Sequence, residues 1–180
     1  ELANRLLPAQ VYRPTRPAAD FAAMAAAFTA SSIPVVFNAY DISTGQELLF
    51  GNPAALEFLD ADDAVPHLVA GRDAPSRYRP IDAAAVESAL WLTLYGFDHR
   101  YDGAVVIDGA YHRQLIIAEL TSCTVIYAVK PQNDAWRADP PANYFEVQDF
   151  NTEMWFNSSF AAEVAALESA PRPPRVVRIT

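Results

Sequence analysis

Ala104-Val105-Val106-Ile107-Asp108-Gly109-Ala110-Tyr111 is the stretch on which the reading of this chain turns. Its first four residues are apolar and mostly β-branched, which suits a buried strand. An aspartate directly after such a run stands at the carboxyl end of the strand, where open α/β sheets place their binding crevices. Gly109 permits a sharp reversal or a close backbone approach, and Ala110 keeps the corner small. A carboxylate placed this way can act as a general base if a nucleophile is near and shelter tunes its acidity. Taken alone, Asp-Gly also reads as a simple turn dipeptide.

Upstream of that stretch, Asp82 is a capping residue for a helix over Ala83–Tyr95. Val86, Leu90 and Leu94 lie on one face and Gly96 supplies the stop. Tyr101-Asp102-Gly103 marks a tight turn. Further back, residues 33–40 and 46–50 read as two strands joined by the turn Asp41-Ile42-Ser43-Thr44-Gly45. Ala54–Phe58 reads as a short helix or turn, and residues 60–80, acidic and Pro-rich, as a surface connection. Asp20 is expected to cap an Ala-rich helix from Phe21 to Thr29, with Phe21, Met24, Ala25 and Phe28 at helical spacing.

Downstream, Gln114–Leu120 reads as a helix, Thr124–Val129 as a buried strand and residues 131–143 as a loop. The longest helix is expected over Phe150–Leu167, ended by Pro171, Pro173 and Pro174, with a last short strand at 176–179. This alternation of strands and helices argues for an α/β fold, layered, with a largely parallel sheet flanked by helices. Three segments result: an irregular, proline-broken arm at 1–19, a body at 20–170, and a Pro-rich tail at 171–180.

Composition narrows the function. Hydrophobic residues make up 52% of the 180 and charged residues 19%, a globular and not a disordered balance. The net charge of −9, with basic residues scattered, excludes the clustered Lys/Arg footprint of a nucleic-acid binder. It also disfavours electrostatic docking on anionic lipid, while leaving hydrophobic contact with a membrane surface open. No apolar run reaches the roughly 18 residues of a transmembrane helix, so a cytoplasmic or peripheral-membrane location is favoured.

The glycines stand at 45, 51, 71, 96, 103 and 109, and no two are four apart. G-x-S-x-G, the P-loop and the dinucleotide fingerprint are therefore all absent. His67, His99 and His112 are dispersed without metal-ligand spacing, and Cys123 is the sole cysteine, read as a packing residue. His112 is notable only for falling four positions after Asp108. No metal or organic cofactor is implied.

The order of these features resembles the C-terminal half of the patatin-like acyl hydrolases. Residues 33–46, with Asp41-Ile42-Ser43-Thr44-Gly45, resemble that family's strand and T-D-x-x-T-G turn, with Tyr40 in place of the usual Thr. Ala83–Leu94 resembles the helix before its catalytic hairpin, and Ala104–Leu120 its strand, D-G-G/A and following helix. Gln114 and Ile116 depart from the Asn and Pro that often follow there. The resemblance covers roughly residues 20–168. It implies that Asp108 is the base partner of a catalytic serine in a Ser-Asp dyad acting on a lipid or fatty-acyl ester.

The family's Gly-rich oxyanion loop and G-x-S-x-G would lie upstream of Glu1. A cut N-terminus is therefore expected, together with a second polypeptide carrying the serine, packed on apolar surface and unpaired strand edges. The rival reading is a non-catalytic binding or interaction module derived from the same fold. A third is a small-molecule-binding α/β domain that uses the crevice near Asp108 without covalent chemistry.

Overall fold

Alanines and aromatics at helical spacing make the first helix, α1 (Ala18–Ala30), which buries Phe21 and Ala25 and half-buries Met24 and Phe28. It starts two residues earlier than its expected cap. Pro17 sets an extended φ of −70° just before it, and Ala18 and Ala19 are strong helix formers that carry the helix upstream. Asp20 thus sits in the first turn, where a carboxylate is favoured by the helix dipole, 3.8 Å from the Arg16 guanidinium. The computed structural model describes residues 12–55, 77–117, 120, 123–130 and 139–179. The chain divides into two compact units, one of Glu1–Asp63 with Asp73–His112, the other of Ala64–Arg72 with Arg113–Thr180.

In the first unit, strands β1 (Val36–Asp41), β2 (Gln46–Gly51), β3 (Arg77–Pro80), β4 (Arg100–Tyr101) and β5 (Ala104–Asp108) form one sheet in the order β3-β2-β1-β5-β4. The second helix, α2 (Ala83–Ala89), is capped by the Asp82 carboxylate, which accepts the Ala85 N–H at 2.7 Å. It packs with α1 over the face formed by Ala39, Leu48, Phe50, Tyr101 and Val106. A short 3₁₀ turn, Thr93–Tyr95, follows α2 in place of the continuous helix expected to residue 95.

The fold is mixed α/β, and the expectation of a largely parallel sheet does not hold for this unit. Only β2 and β3 run parallel; β1 pairs antiparallel with β2 and with β5, and β4 with β5. The reason is connection length. Four residues, 42–45, join β1 to β2, and two, Asp102-Gly103, join β4 to β5, far short of a parallel crossover. Asp102 (φ 49°) and Gly103 (φ 83°) are both left-handed, the signature of the hairpin turn that matches strand twist. Asp41 closes the other turn by accepting the Ser43 N–H (2.8 Å) and the Thr44 hydroxyl (2.7 Å). Burial alone would raise the pKa of that carboxylate, but the Thr44 and Ser43 hydrogen bonds outweigh it and hold the pKa below its ordinary value.

Asn52, fully buried just past β2, ties three segments together. Its Oδ1 accepts the N–H groups of Val35 and Ala55, both at 3.0 Å. Its Nδ2 lies within 3.1 Å of the carbonyls of Phe28, Ser31 and Ile33 and donates toward all three.

The second unit is a β-α-β arrangement. Strands β6 (Val125–Val129) and β7 (Arg175–Ile179) pair in parallel, joined through α3 (Tyr144–Glu168), whose Phe160, Val164 and Leu167 pack with Ile117, Ile126 and Ala128. The helix runs six residues further upstream than Phe150, because Asn143 accepts the Glu146 N–H (3.0 Å) and Glu146 reaches back to the Ala142 N–H (2.7 Å). On β6 the residues alternating with the buried pair, Val125, Tyr127 and Val129, are exposed. Residues 114–117 form no helix, contrary to expectation. Their amides are engaged otherwise: Leu115 N–H donates to Glu163 Oε2 at 3.1 Å, and the Gln114 N–H faces the same carboxylate. The expected elements within 56–76 and 131–138 lie outside the described residues, as does most of the arm at 1–11.

Burial pushes the Glu163 carboxyl up to about 7, although Arg113, Ser159 and the two backbone amides favour its charged form. A carboxyl whose folded pKa exceeds its unfolded value of 4.5 favours the native state when protonated. Its contribution is therefore intact at pH 4.5 and is lost as pH rises toward and past 7. The melting temperature of wild type minus that of Glu163→Gln should fall between pH 4.5 and pH 8 by roughly 5 °C, allowing for solvent screening. A difference that stays constant with pH would contradict this.

Candidate functional site

The two Asp-Gly dipeptides of the first unit look alike in sequence and differ in physics. At 102–103 glycine is needed for its conformation, with nothing within 4 Å of where a Cβ would stand. At 109 it is needed for space, since its φ is not left-handed. A Cβ there would fall 2.2 Å from Asn38 Cγ and 2.7 Å from the Asn38 carbonyl carbon. The second of those atoms is backbone and cannot swing aside. Gly109 therefore lets the corner after β5 press against β1, and this holds Asp108 opposite Ala39 in the β1–β5 register.

Asp108 leaves strand geometry at φ −49° and ψ 129° and opens the 3₁₀ turn Gly109–Tyr111. Its N–H donates to the Trp91 carbonyl at 2.9 Å, and its Oδ1 accepts the Ala110 N–H at 2.9 Å. Among the described residues, that is the one hydrogen bond its carboxylate makes. The side chain is half-buried. Burial raises its pKa, and the Ala110 N–H works against that without cancelling it.

Asp108 borders two clefts. The first, about 300 Å³, is lined by Met24 and Phe28 of α1, Phe37 and Asn38 of β1, Val86 and Ala89 of α2, and Leu90. Among the described residues Asp108 gives it its polar side chain; Asn38, the other polar residue of the lining, turns its amide away to Glu47 Oε1 at 2.8 Å. The second, about 310 Å³, is lined by Pro14, Thr15, Arg16, Phe21, Leu90, Leu92 and Tyr95. The described part of the arm thus forms a wall, pinned where the Tyr12 N–H donates to the Leu94 carbonyl at 3.0 Å. Leu90 and Asp108 are common to both clefts.

A serine-histidine contact that sequence reading missed lies nearby in the chain. Ser88 Oγ is 2.9 Å from His99 Nε2, and the His99 ring stacks on Trp91 with centroids 4.5 Å apart. Eleven residues and a turn separate the pair, and no sequence spacing announces it. It is not built as a nucleophile. Ser88 is fully buried and its hydroxyl donates to the Ala84 carbonyl at 2.7 Å, so its proton is committed and His99 must donate to it. Burial lowers the His99 pKa, against the pull of Glu87 and Asp98, and keeps the ring neutral near pH 7. The arrangement steadies Trp91, whose carbonyl anchors the Asp108 N–H.

His112 lies flat on Tyr40, with ring centroids 4.7 Å apart. Cys123 packs against the core of the second unit. His67 lies outside the described residues. Among the described residues no group of three or more His, Cys, Asp or Glu side chains is placed to hold a metal ion, and no helix is long and apolar enough to cross a membrane. Comparison with protein-family models, curated proteins and solved structures finds no match.

Proposed function

We propose that this chain supplies the dyad aspartate of a patatin-like acyl ester hydrolase acting on lipid or fatty-acyl esters, with the serine carried by another polypeptide segment. The observation that supports this most is the setting of Asp108. It is a half-buried carboxylate at the carboxyl end of β5, held by one backbone amide and open to an apolar cleft. The Ala110 N–H fixes one carboxylate oxygen and leaves the other for an incoming hydroxyl. Raised basicity suits the role: a serine Oγ–H would donate to Asp108, pass its proton as it attacks the ester carbonyl, and leave an acyl-serine when the alcohol departs with that proton. Asp108 would then take a proton from the water that hydrolyses the acyl-serine. No histidine, metal or organic cofactor enters this scheme.

A non-catalytic binding module is the second reading, favoured by Tyr40, Gln114 and Ile116, which depart from the family's pattern. Fluorophosphonate labelling of the purified protein followed by intact mass spectrometry separates the two. The hydrolase reading expects the adduct on a companion polypeptide and none on this chain. Stoichiometric labelling of this chain, or active hydrolase with no second polypeptide present, would overturn it.

A further inference from the structure

We infer that the cleft between α1, α2 and β1 is a binding site for one straight alkyl chain of medium length, about eight carbons, whose hydroxyl or ester end lies at Asp108. This deepens the acyl-hydrolase reading by naming the acyl length. It rests on that reading only for the link to ester chemistry, since the binding itself needs no serine. The walls are apolar and contributed by three elements: Met24 and Phe28, Phe37, and Val86 with Ala89. The Phe28 and Phe37 rings stand 6.1 Å apart and tilted by 54°, so the two aromatic walls meet each other. Polarity is confined to one place, because Asp108 stands opposite Ala39 on the cleft side of the sheet, whereas the amide of Asn38 turns to Glu47 on the other face. A long apolar body with a single polar end is the ligand that matches such a lining.

Volume sets the length. About 300 Å³ holds roughly ten groups the size of a water molecule or a methylene. An α-helix, about 10 Å across with its side chains, does not fit in that space. Leu90 sets the direction. It stands between this cleft and the second one, whose Thr15, Arg16 and Tyr95 would leave an alkyl chain against groups that prefer water. The apolar end therefore points toward α1, and the polar remainder of a ligand toward the arm.

The test uses the whole chain with methyl-labelled methionine and a series of primary alcohols from 1-butanol to 1-dodecanol. The chain has two methionines: Met24 lines the cleft, and Met154, on α3, serves as the internal control. The Met24 methyl signal should move saturably while that of Met154 stays. Affinity should rise about fourfold per added methylene up to 1-octanol and level off by 1-decanol. Ala89→Leu, which adds bulk from a half-buried position on α2, should weaken 1-octanol binding at least tenfold with the melting temperature retained. Parallel, non-saturating shifts of both methionines would overturn the inference. So would affinity still climbing at 1-dodecanol, which needs no variant to observe. Length-limited binding in a protein whose hydrolysis survives Asp108→Ala would remove the dyad and keep the cleft; loss of hydrolysis with no saturable alcohol binding would remove the cleft alone.

Discussion

Replacing Asp108 with alanine is expected to lower kcat for ester hydrolysis by about 10³-fold or more in the protein that carries the serine, with KM little changed. The side chain takes one hydrogen bond, from the Ala110 N–H, so its loss should cost about 1 kcal/mol of stability and leave the fold intact. Circular dichroism and the melting temperature verify that second half of the expectation. Asp108→Asn keeps shape and the acceptor for Ala110 but removes the base, and should be as inactive as the alanine variant. Because burial raises the Asp108 pKa, and the base works only when ionised, the acidic limb of the wild-type rate profile should lie above the usual carboxylate range. Activity then declines as pH falls through that value. Turnover near the wild-type level in either variant would refute the assignment.

The largest effect on stability is expected at Asn52 and not in the apolar core. Asn52→Ala strands the Val35 and Ala55 N–H groups and removes a donor from the carbonyls of Phe28, Ser31 and Ile33, around a side chain with no exposed surface. Each buried unsatisfied group costs about 1–3 kcal/mol, and partial relaxation brings the sum to about 4 kcal/mol. For a chain of this size that is a drop of roughly 10 °C in melting temperature. Asn52→Asp is a sharper test: it keeps the acceptor for Val35 and Ala55 but turns a charged oxygen toward the carbonyls of Phe28, Ser31 and Ile33. It should be no better than alanine at neutral pH. Urea unfolding that shows either variant within 1 kcal/mol of wild type would mean the three-segment tie contributes little. Its loss would also loosen the end of α1, where Phe28 walls the alkyl cleft.

Most of the local structure was legible in the sequence because it is set by neighbours. The helical spacing of Phe21, Met24, Ala25 and Phe28, the cap at Asp82, the turn at 41–45 and the strand before Asp108 all stand where their residues place them. Sheet direction is legible there too. Two connections of four and two residues already dictate hairpins, and the expectation of a largely parallel layer came from the overall alternation of elements. What could not be read is held by distant partners. Gln114 and Leu115 lose their helix to a carboxylate on α3, nearly fifty residues on, and Asn52 is an ordinary-looking asparagine whose contacts lie up to 24 residues away. The placing of Asp108 at the end of a strand is legible in sequence, but its shelter is not: the cleft beside it needs α1, α2 and β1 together.

The lengths in the second unit do not match, and that mismatch divides α3 into two mechanically different parts. Twenty-five helical residues extend about 37 Å, whereas the five-residue strands β6 and β7 extend about 16 Å. The buried residues of α3, Phe160, Val164 and Leu167, all fall in its final third, where strands lie beneath it. The leading turns, with Tyr144, Phe145, Met154 and Trp155 exposed, extend beyond the length of those strands and begin at the Asn143–Glu146 cap. Such a cantilever frays from its free end: its first turns open at a small fraction of the free energy that unfolds its root, and the root keeps its grip on β6 and β7 while they do.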